Sequence, residues 1–94
     1  MKIEEIKSGM SNINLKAKVV DVGEIRSVQT RFGKRSVADV TLEDDSGRII
    51  LTLWEEKINS VSVGDTVHIS GAFASQFRDK IQLNIPRTGK MDVE

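Results

Sequence analysis

Aromatic residues are few in this chain, and three of the four stand directly beside a polar or charged residue. Phe32 lies in the run Arg31-Phe32-Gly33-Lys34, Trp54 ends an apolar alternating run, and Phe73 and Phe77 bracket residues 74–76. An aromatic ring can stack on an unpaired base, and each such contact contributes about 1 to 3 kcal/mol of binding. Burial of all four in the core or at its ends, with Trp54 packed against Ile58, is the alternative use of these rings.

Basic residues fall in two segments that flank an acidic one, although the chain has 14 Lys and Arg against 14 Asp and Glu. No acid interrupts residues 26–35, whereas residues 39–56 contain six acids and Arg48 as the only base. Phosphates attract such cationic segments even when the net charge of the protein is close to zero. The first and last hairpins contribute the basic residues Arg26, Arg31, Lys34, Arg35, Arg78 and Lys80.

Catalytic and metal-binding patterns are missing from the sequence. His68 is the single histidine and alternates outward between Val67 and Ile69, and there is no cysteine. The acidic pair Asp44 and Asp45 precedes Ser-Gly, which is typical of an Asx turn rather than of a metal site. We therefore expect no enzyme activity, no cofactor and no metal.

Period-two alternation predicts an all-β chain. A long first strand starts at Ile13 and runs toward the hairpin tip at residues 31–34. The inward parity of Val19 changes at Val20, which requires a bulge or bend before Gly23. Second and third strands follow, with inward residues Ala38, Val40, Leu42, Ile49, Leu51 and Leu53.

Alternation in the third strand places Thr52 and Trp54 on the face opposite the core. Residues 55–60 carry the one helical pattern, of at most two turns. A fourth strand and a final hairpin strand follow, and residues 74–76 are interpreted as a turn between Phe73 and Phe77. Pro86 ends the last strand, and residues 87–94 are predicted to be a frayed or appended tail.

Five strands with a short helix between the third and fourth favour a five-stranded oligonucleotide/oligosaccharide-binding (OB) barrel over residues 1–86. A β-sandwich and an SH3-like barrel are the rival architectures. The 94 residues suffice for one core only. No apolar run is long enough to cross a bilayer and the first ten residues lack the pattern of a signal peptide, so we expect an intracellular protein without a membrane partner.

Four motifs extend the interpretation to a known family. Their order resembles that of archaeal single-stranded DNA-binding proteins and replication-protein-A-like OB domains, and the resemblance covers residues 1–84. The motifs are IKSGMSNIN at 6–14, DSGRIILTLW at 45–54, VGDTVHI at 63–69 and GAFASQFRDKIQL at 71–83.

The resemblance implies that Trp54, Phe73 and Phe77 stack on successive bases, and that Arg26 and Val28 line the same groove. Phe73 stands where relatives often carry a larger aromatic, and Phe32 lies at a tip that is usually polar, where it is a candidate fourth stacking platform. Thr52, Gln82 and Asn84 are candidates for hydrogen bonds to base edges.

Together these features predict a monomeric domain that binds single-stranded DNA with little sequence specificity during replication, recombination and repair. Its expected location is the cytoplasm, in association with the nucleoid, and other replication or repair proteins are possible partners. Two alternatives remain open: a protein-interaction subunit of a larger replication-protein-A-like complex, and an RNA-binding OB domain.

Overall fold

The structure is a computed structural model that describes residues 1–86 and 88–94; the side chains of Glu56 and Phe77 lie outside the described part. Two 3₁₀ turns, Ile3–Glu5 and Glu55–Ser60, accompany the strands, and no helix in the described part is long and apolar enough to cross a membrane. The all-β prediction is confirmed. The strands are β1 (Ile13–Val22), β2 (Arg26–Thr30), β3 (Gly33–Asp44), β4 (Gly47–Trp54), β5 (Thr66–Phe77), β6 (Lys80–Asn84) and β7 (Lys90–Val93).

The helix predicted between the third and fourth strands is only a 3₁₀ turn, and this corrects the sequence interpretation. Trp54 occupies the position before the turn and supplies no side-chain cap for its free N–H groups. Glu55 has a positive φ of 53°, which turns the chain sharply away from β4 before any helix can begin.

The strands pair in the order β1-β3-β4-β6-β5-β7, and β2 pairs with β3. β3 is antiparallel to β1, β2 and β4, whereas β4 runs parallel to β6. β6 is antiparallel to β5, and β5 is antiparallel to β1 and β7. The described residues form seven strands rather than five, because residues 23–25 separate β2 from β1 and because residues 90–93 add β7.

The core lies between the inward faces of these strands and follows the predicted alternation. Every inward residue predicted for the second and third strands is buried, as are Val67 and Ile69 on either side of the exposed His68. The bulge predicted in the first strand is confirmed, since the β1–β3 register shifts between Val19 and Asp21.

A second bulge, which the sequence interpretation missed, determines the orientation of Phe73. Ile13 pairs with Ala72 and Leu15 with Ile69, so β5 contains one extra residue over this stretch. Gly71 has a φ of +71°, the left-handed conformation that a bulge glycine adopts. Beyond it Ala72 is buried and Phe73 is exposed, whereas strict alternation from Ile69 would have placed Phe73 in the core.

The turn predicted at residues 74–76 is wrong, because β5 continues through them to Phe77 and the chain turns at residues 78–79. The frayed tail is also wrong for residues 90–93. β7 pairs with β5 from Val67 to Ser70, and the partly buried Met91 packs against the core. The domain boundary at residue 86 stays a prediction.

The N-terminal 3₁₀ turn is fixed to the β3–β4 turn by one carboxylate. Asp44 accepts hydrogen bonds from the backbone N–H of Ile3 (2.8 Å), Ser46 (2.7 Å) and Gly47 (3.1 Å) and from the Ser46 hydroxyl (2.6 Å). Burial acts to raise the pKa of Asp44, but these hydrogen bonds outweigh it and hold the pKa below its usual value. The Asx turn predicted here is confirmed, and Ile3 and Ile6 are buried beside it.

Candidate nucleic-acid interface

The outer face of the sheet presents its side chains in rows that cross the strands. Trp54 on β4 pairs with Val37 on β3. In the next row Asp39 pairs with Thr52, Thr52 with Asn84, and Asn84 with Phe73. Paired residues in a sheet point to the same side, so the two aromatic rings flank a strip of polar side chains.

A groove of about 430 Å³ lies over this face, between the β2–β3 hairpin and the β5–β6 hairpin. We call it the aromatic groove. Six of the predicted site residues line it: Arg26, Val28, Thr52, Trp54, Gln82 and Asn84. The other lining residues are Gln29, Thr30, Val37, Ser75 and Gln76.

Two aromatic side chains are presented on the face that carries the groove. Trp54 is 40% exposed and Phe73 is 39% exposed, so the outward orientation predicted for Trp54 from parity is confirmed. Phe32 is 77% exposed at the tip of the β2–β3 hairpin. Neither Phe32 nor Phe73 is among the residues that line the groove. The predicted role of Phe77 depends on a side chain outside the described residues.

The polar groups between the rings are largely satisfied by one another. The Thr52 hydroxyl donates to Asp39 Oδ1 at 3.3 Å, and Asn84 Nδ2 donates to the Ser75 hydroxyl at 3.3 Å. Thr52 is buried, although the sequence interpretation gave it a base contact. The floor of the groove therefore includes the uncharged groups of Thr52, Ser75 and Asn84, which are held by hydrogen bonds, and the carboxylate of Asp39 lies next to them.

The predicted phosphate-binding residues lie in three places. Arg26 is in the aromatic groove, where its Nη1 lies 3.2 Å from Asp39 Oδ2. Arg31, Lys34 and Arg35 lie exposed on the β2–β3 hairpin, away from the groove lining. The remaining two, Arg78 and Lys80, line a second hollow of about 350 Å³ together with Asp39, Asp79 and Gln82. We call it the basic depression after its two cations, which two carboxylates balance in charge.

Glu55 links the end of β4 to the β2–β3 hairpin. Its Oε1 accepts a hydrogen bond from the backbone N–H of Ser36 at 3.3 Å and lies 3.8 Å from Arg35 Nη1. Because Glu55 directly follows Trp54, this contact continues the β3–β4 pairing one residue beyond the last backbone pair. The backbone next to Trp54 is thereby tied to the hairpin.

Sequence reasoning missed Asp39 and Ser75 as members of this face. Asp39 could have been found by alternation, because Ala38 and Val40 are inward and the residue between them must face outward. Ser75 could not, since the bulge at Gly71 reverses the parity of β5 and leaves no mark in the sequence other than the glycine itself.

The fold and the site can be compared with known proteins. The chain is 32% identical over 83 residues to the single-stranded DNA binding protein Ssb of Saccharolobus solfataricus, an alignment that covers 88% of the chain and 56% of that protein. The chain therefore spans a little over half the length of this relative.

Solved structures agree on the fold. The OB domain of a Thermoplasma acidophilum protein matches with a TM-score of 0.86 at 18% identity, over 100% of this chain and 85% of that one. A replication factor A related protein from Methanobacterium thermoautotrophicum matches with a TM-score of 0.82 at 20% identity, over 100% and 89% of the two chains. The predicted OB fold is thus confirmed.

The family model for "Single-stranded DNA binding protein Ssb-like, OB fold" matches residues 6–93, which include every strand described above. The resemblance inferred from the four sequence motifs is confirmed by this match. The chain belongs to the Ssb-like family of OB-fold single-stranded DNA binding proteins.

Proposed function

We propose that this chain binds single-stranded DNA with little sequence specificity and acts in replication, recombination and repair. The observation that carries the proposal is the pair of exposed rings, Trp54 and Phe73, on one face of the sheet with uncharged polar groups between them. An unpaired base offers a π-face whatever its identity, so such a site binds many sequences. Phe77 and Phe32 are proposed as the further stacking residues.

Phosphates are proposed to bind around the aromatic groove rather than on its floor. Arg26 is at one side, Arg78 and Lys80 are in the basic depression, and the β2–β3 hairpin carries the rest. This arrangement supports a strand whose bases face the sheet and whose backbone follows the cations. Gln82 and Asn84 are then placed to donate or accept hydrogen bonds at base edges.

Strand pairing supports a closed five-stranded barrel beneath this surface, made of β1, β3, β4, β6 and β5. β1 pairs with β3 on one side and with β5 on the other, which leaves neither of its long edges open. A closed barrel is a rigid platform, so the rings of Trp54 and Phe73 are held at a fixed separation for successive bases. We further propose a monomeric, non-enzymatic domain that associates with the nucleoid through DNA.

Competition at fixed, moderate salt tests this function. A labelled pyrimidine-rich single strand is bound to the chain, and unlabelled single strand, matching duplex and RNA of equal length compete for it. Duplex bases are already stacked on each other, so we expect the single strand to bind at least ~100-fold more tightly, which corresponds to about two lost stacking contacts.

Three outcomes of the competition would redirect the proposal. Duplex that competes as well as the single strand would reject stacking as the source of affinity. RNA that competes best would make the chain an RNA-binding OB domain. Affinity too weak to measure for every nucleic acid would favour the protein-interaction subunit instead.

A further inference from the structure

Asp39 places a negative charge where the proposed ligand is itself an anion. Its Oδ2 lies 3.2 Å from Arg26 Nη1, and its Oδ1 accepts the Thr52 hydroxyl. Asp39 also lines the basic depression with Arg78 and Lys80. The carboxylate thus lies at the point where the aromatic groove and the basic depression meet.

The Arg26–Asp39 pair is exposed enough to be exchanged. Its two side chains are 52% and 33% exposed, and an ion pair in such a setting stabilises the fold only weakly. A guanidinium binds carboxylate and phosphate through the same planar donors, so an arriving phosphate can replace the carboxylate without a new geometry. In the unbound chain, the Asp39 carboxylate therefore already occupies the Arg26 guanidinium that a nucleic-acid phosphate would use.

We propose that Asp39 is a built-in competitor of the nucleic-acid phosphate at Arg26, so that binding there exchanges one anion for another. This inference rests on the proposed function. Its consequence is a lower affinity and a shallower dependence on salt than the number of groove cations alone would give, because Arg26 and Asp39 together carry no net charge.

A similar pair on the hairpin shows why Asp39 is the residue to test. Glu55 lies 3.8 Å from Arg35, but the same carboxylate oxygen also accepts the backbone N–H of Ser36. Replacement of Glu55 would disturb the backbone beside Trp54. The carboxylate of Asp39 instead contacts the side chains of Arg26 and Thr52, so Asp39→Asn removes the charge and keeps nearly the same shape.

The experiment measures single-strand affinity of Asp39→Asn across a salt series. At low salt we expect binding about threefold to fivefold tighter than that of the unsubstituted chain, and fivefold is roughly 1 kcal/mol at 1.36 kcal/mol per tenfold. The slope of log K against log salt should become more negative by about 0.7, the value for one further neutralised phosphate of a single strand.

Two control variants isolate the exchange. Asp45→Asn removes the same charge from an exposed ion pair with Lys2 at the β3–β4 turn, and it should change affinity by less than about twofold. Arg26→Gln abolishes the site of exchange, so Asp39→Asn should have no further effect in that background. Thermal unfolding of each variant verifies that the folded chain is compared.

Weaker binding by Asp39→Asn with an unchanged slope would overturn the inference, since the carboxylate would then position Arg26 or contact a base. An equal gain from Asp45→Asn would overturn it too, because the effect would be general repulsion. The proposed function can survive either result: if Trp54→Ala still weakens binding while Asp39→Asn changes nothing, only the competitor role fails.

Discussion

Asp44 and Asp39, toward opposite ends of the β3–β4 hairpin, are held in opposite ways. At the turn, the carboxylate of Asp44 accepts four hydrogen bonds, three of them from backbone N–H groups. At the open end, the carboxylate of Asp39 contacts the side chain of Arg26, which remains about half exposed. Backbone partners cannot leave without local unfolding, whereas exposed arginines can exchange partners.

Aromatic and aliphatic residues follow the same division. Ile3 and Ile6 are buried at the turn end, each about 5% exposed, whereas Trp54 is 40% exposed at the open end. At the turn end of this pair of strands, side chains therefore hold the N-terminal segment in place. At the open end, side chains face the groove and are accessible to a ligand. Substitutions at the two ends should therefore affect different measurable quantities.

Trp54→Ala is expected to show the largest difference between the effect on binding and the effect on stability. Loss of one stacking platform should weaken single-strand binding by about 1 to 3 kcal/mol. Stability should fall by much less than the roughly 3 to 5 kcal/mol typical of a buried aromatic truncation, because the ring is partly in water and leaves no enclosed cavity. Oligonucleotide titration and thermal melts on the same variant measure both quantities.

A strongly lowered melting temperature with normal affinity per folded molecule would assign Trp54 to the fold instead. Phe73→Ala is the matched comparison, since Phe73 has nearly the same exposure and pairs with Asn84 on the same face of the sheet. If both rings stack on bases, both variants should lose affinity and retain most of their stability.

Asp44→Ala should produce the reverse pattern. Loss of the acceptor for three backbone N–H groups should cost about 1 to 2 kcal/mol of unfolding free energy, with single-strand affinity unchanged. Because the pKa of Asp44 is lower in the folded state than its usual value, its stabilising contribution is present at neutral pH and is lost as the pH falls through the lowered pKa.

Urea unfolding at neutral pH and below about pH 4 checks this linkage. The stability difference between the unsubstituted chain and Asp44→Asn should narrow in acid, since the asparagine carries no titrating carboxylate. A difference that is the same at both pH values would show that the charge of Asp44 contributes nothing beyond its shape.

Much of this division could be predicted from the sequence because alternation is a local signal. The parity of Leu51, Leu53 and their neighbours assigned the core, and the same parity placed Trp54 outside. The change of parity after Val19 predicted a bulge that the β1–β3 register contains. The Asp-Asp-Ser-Gly sequence indicated the Asx turn through the known preference of Asp side chains for nearby N–H groups.

The errors arose where pairing partners rather than local pattern determine the structure. The extra residue at Gly71 reverses the parity of β5, so residues that lie within the strand were interpreted as a turn. Residues 90–93 have little alternation of their own and become a strand by pairing with Val67–Ser70. The contact between Arg26 on β2 and Asp39 on β3 joins residues 13 positions apart, and alternation within each strand does not predict it.

The smallest effect on binding is expected at Phe32. This residue tests whether the hairpin tip belongs to the binding surface together with the open end of the β3–β4 hairpin. The ring is 77% exposed and outside the groove lining, so Phe32→Ala should leave stability unchanged. A strand long enough to pass from the aromatic groove to the tip can stack one base there, so binding of long oligonucleotides should weaken by about 1 kcal/mol or less. Short oligonucleotides that fill only the groove should bind Phe32→Ala and the unsubstituted chain equally. Titration with oligonucleotides of increasing length separates the two cases. An equal loss of affinity at every length would place Phe32 within the groove contacts. No loss at any length would remove it from the set of stacking residues.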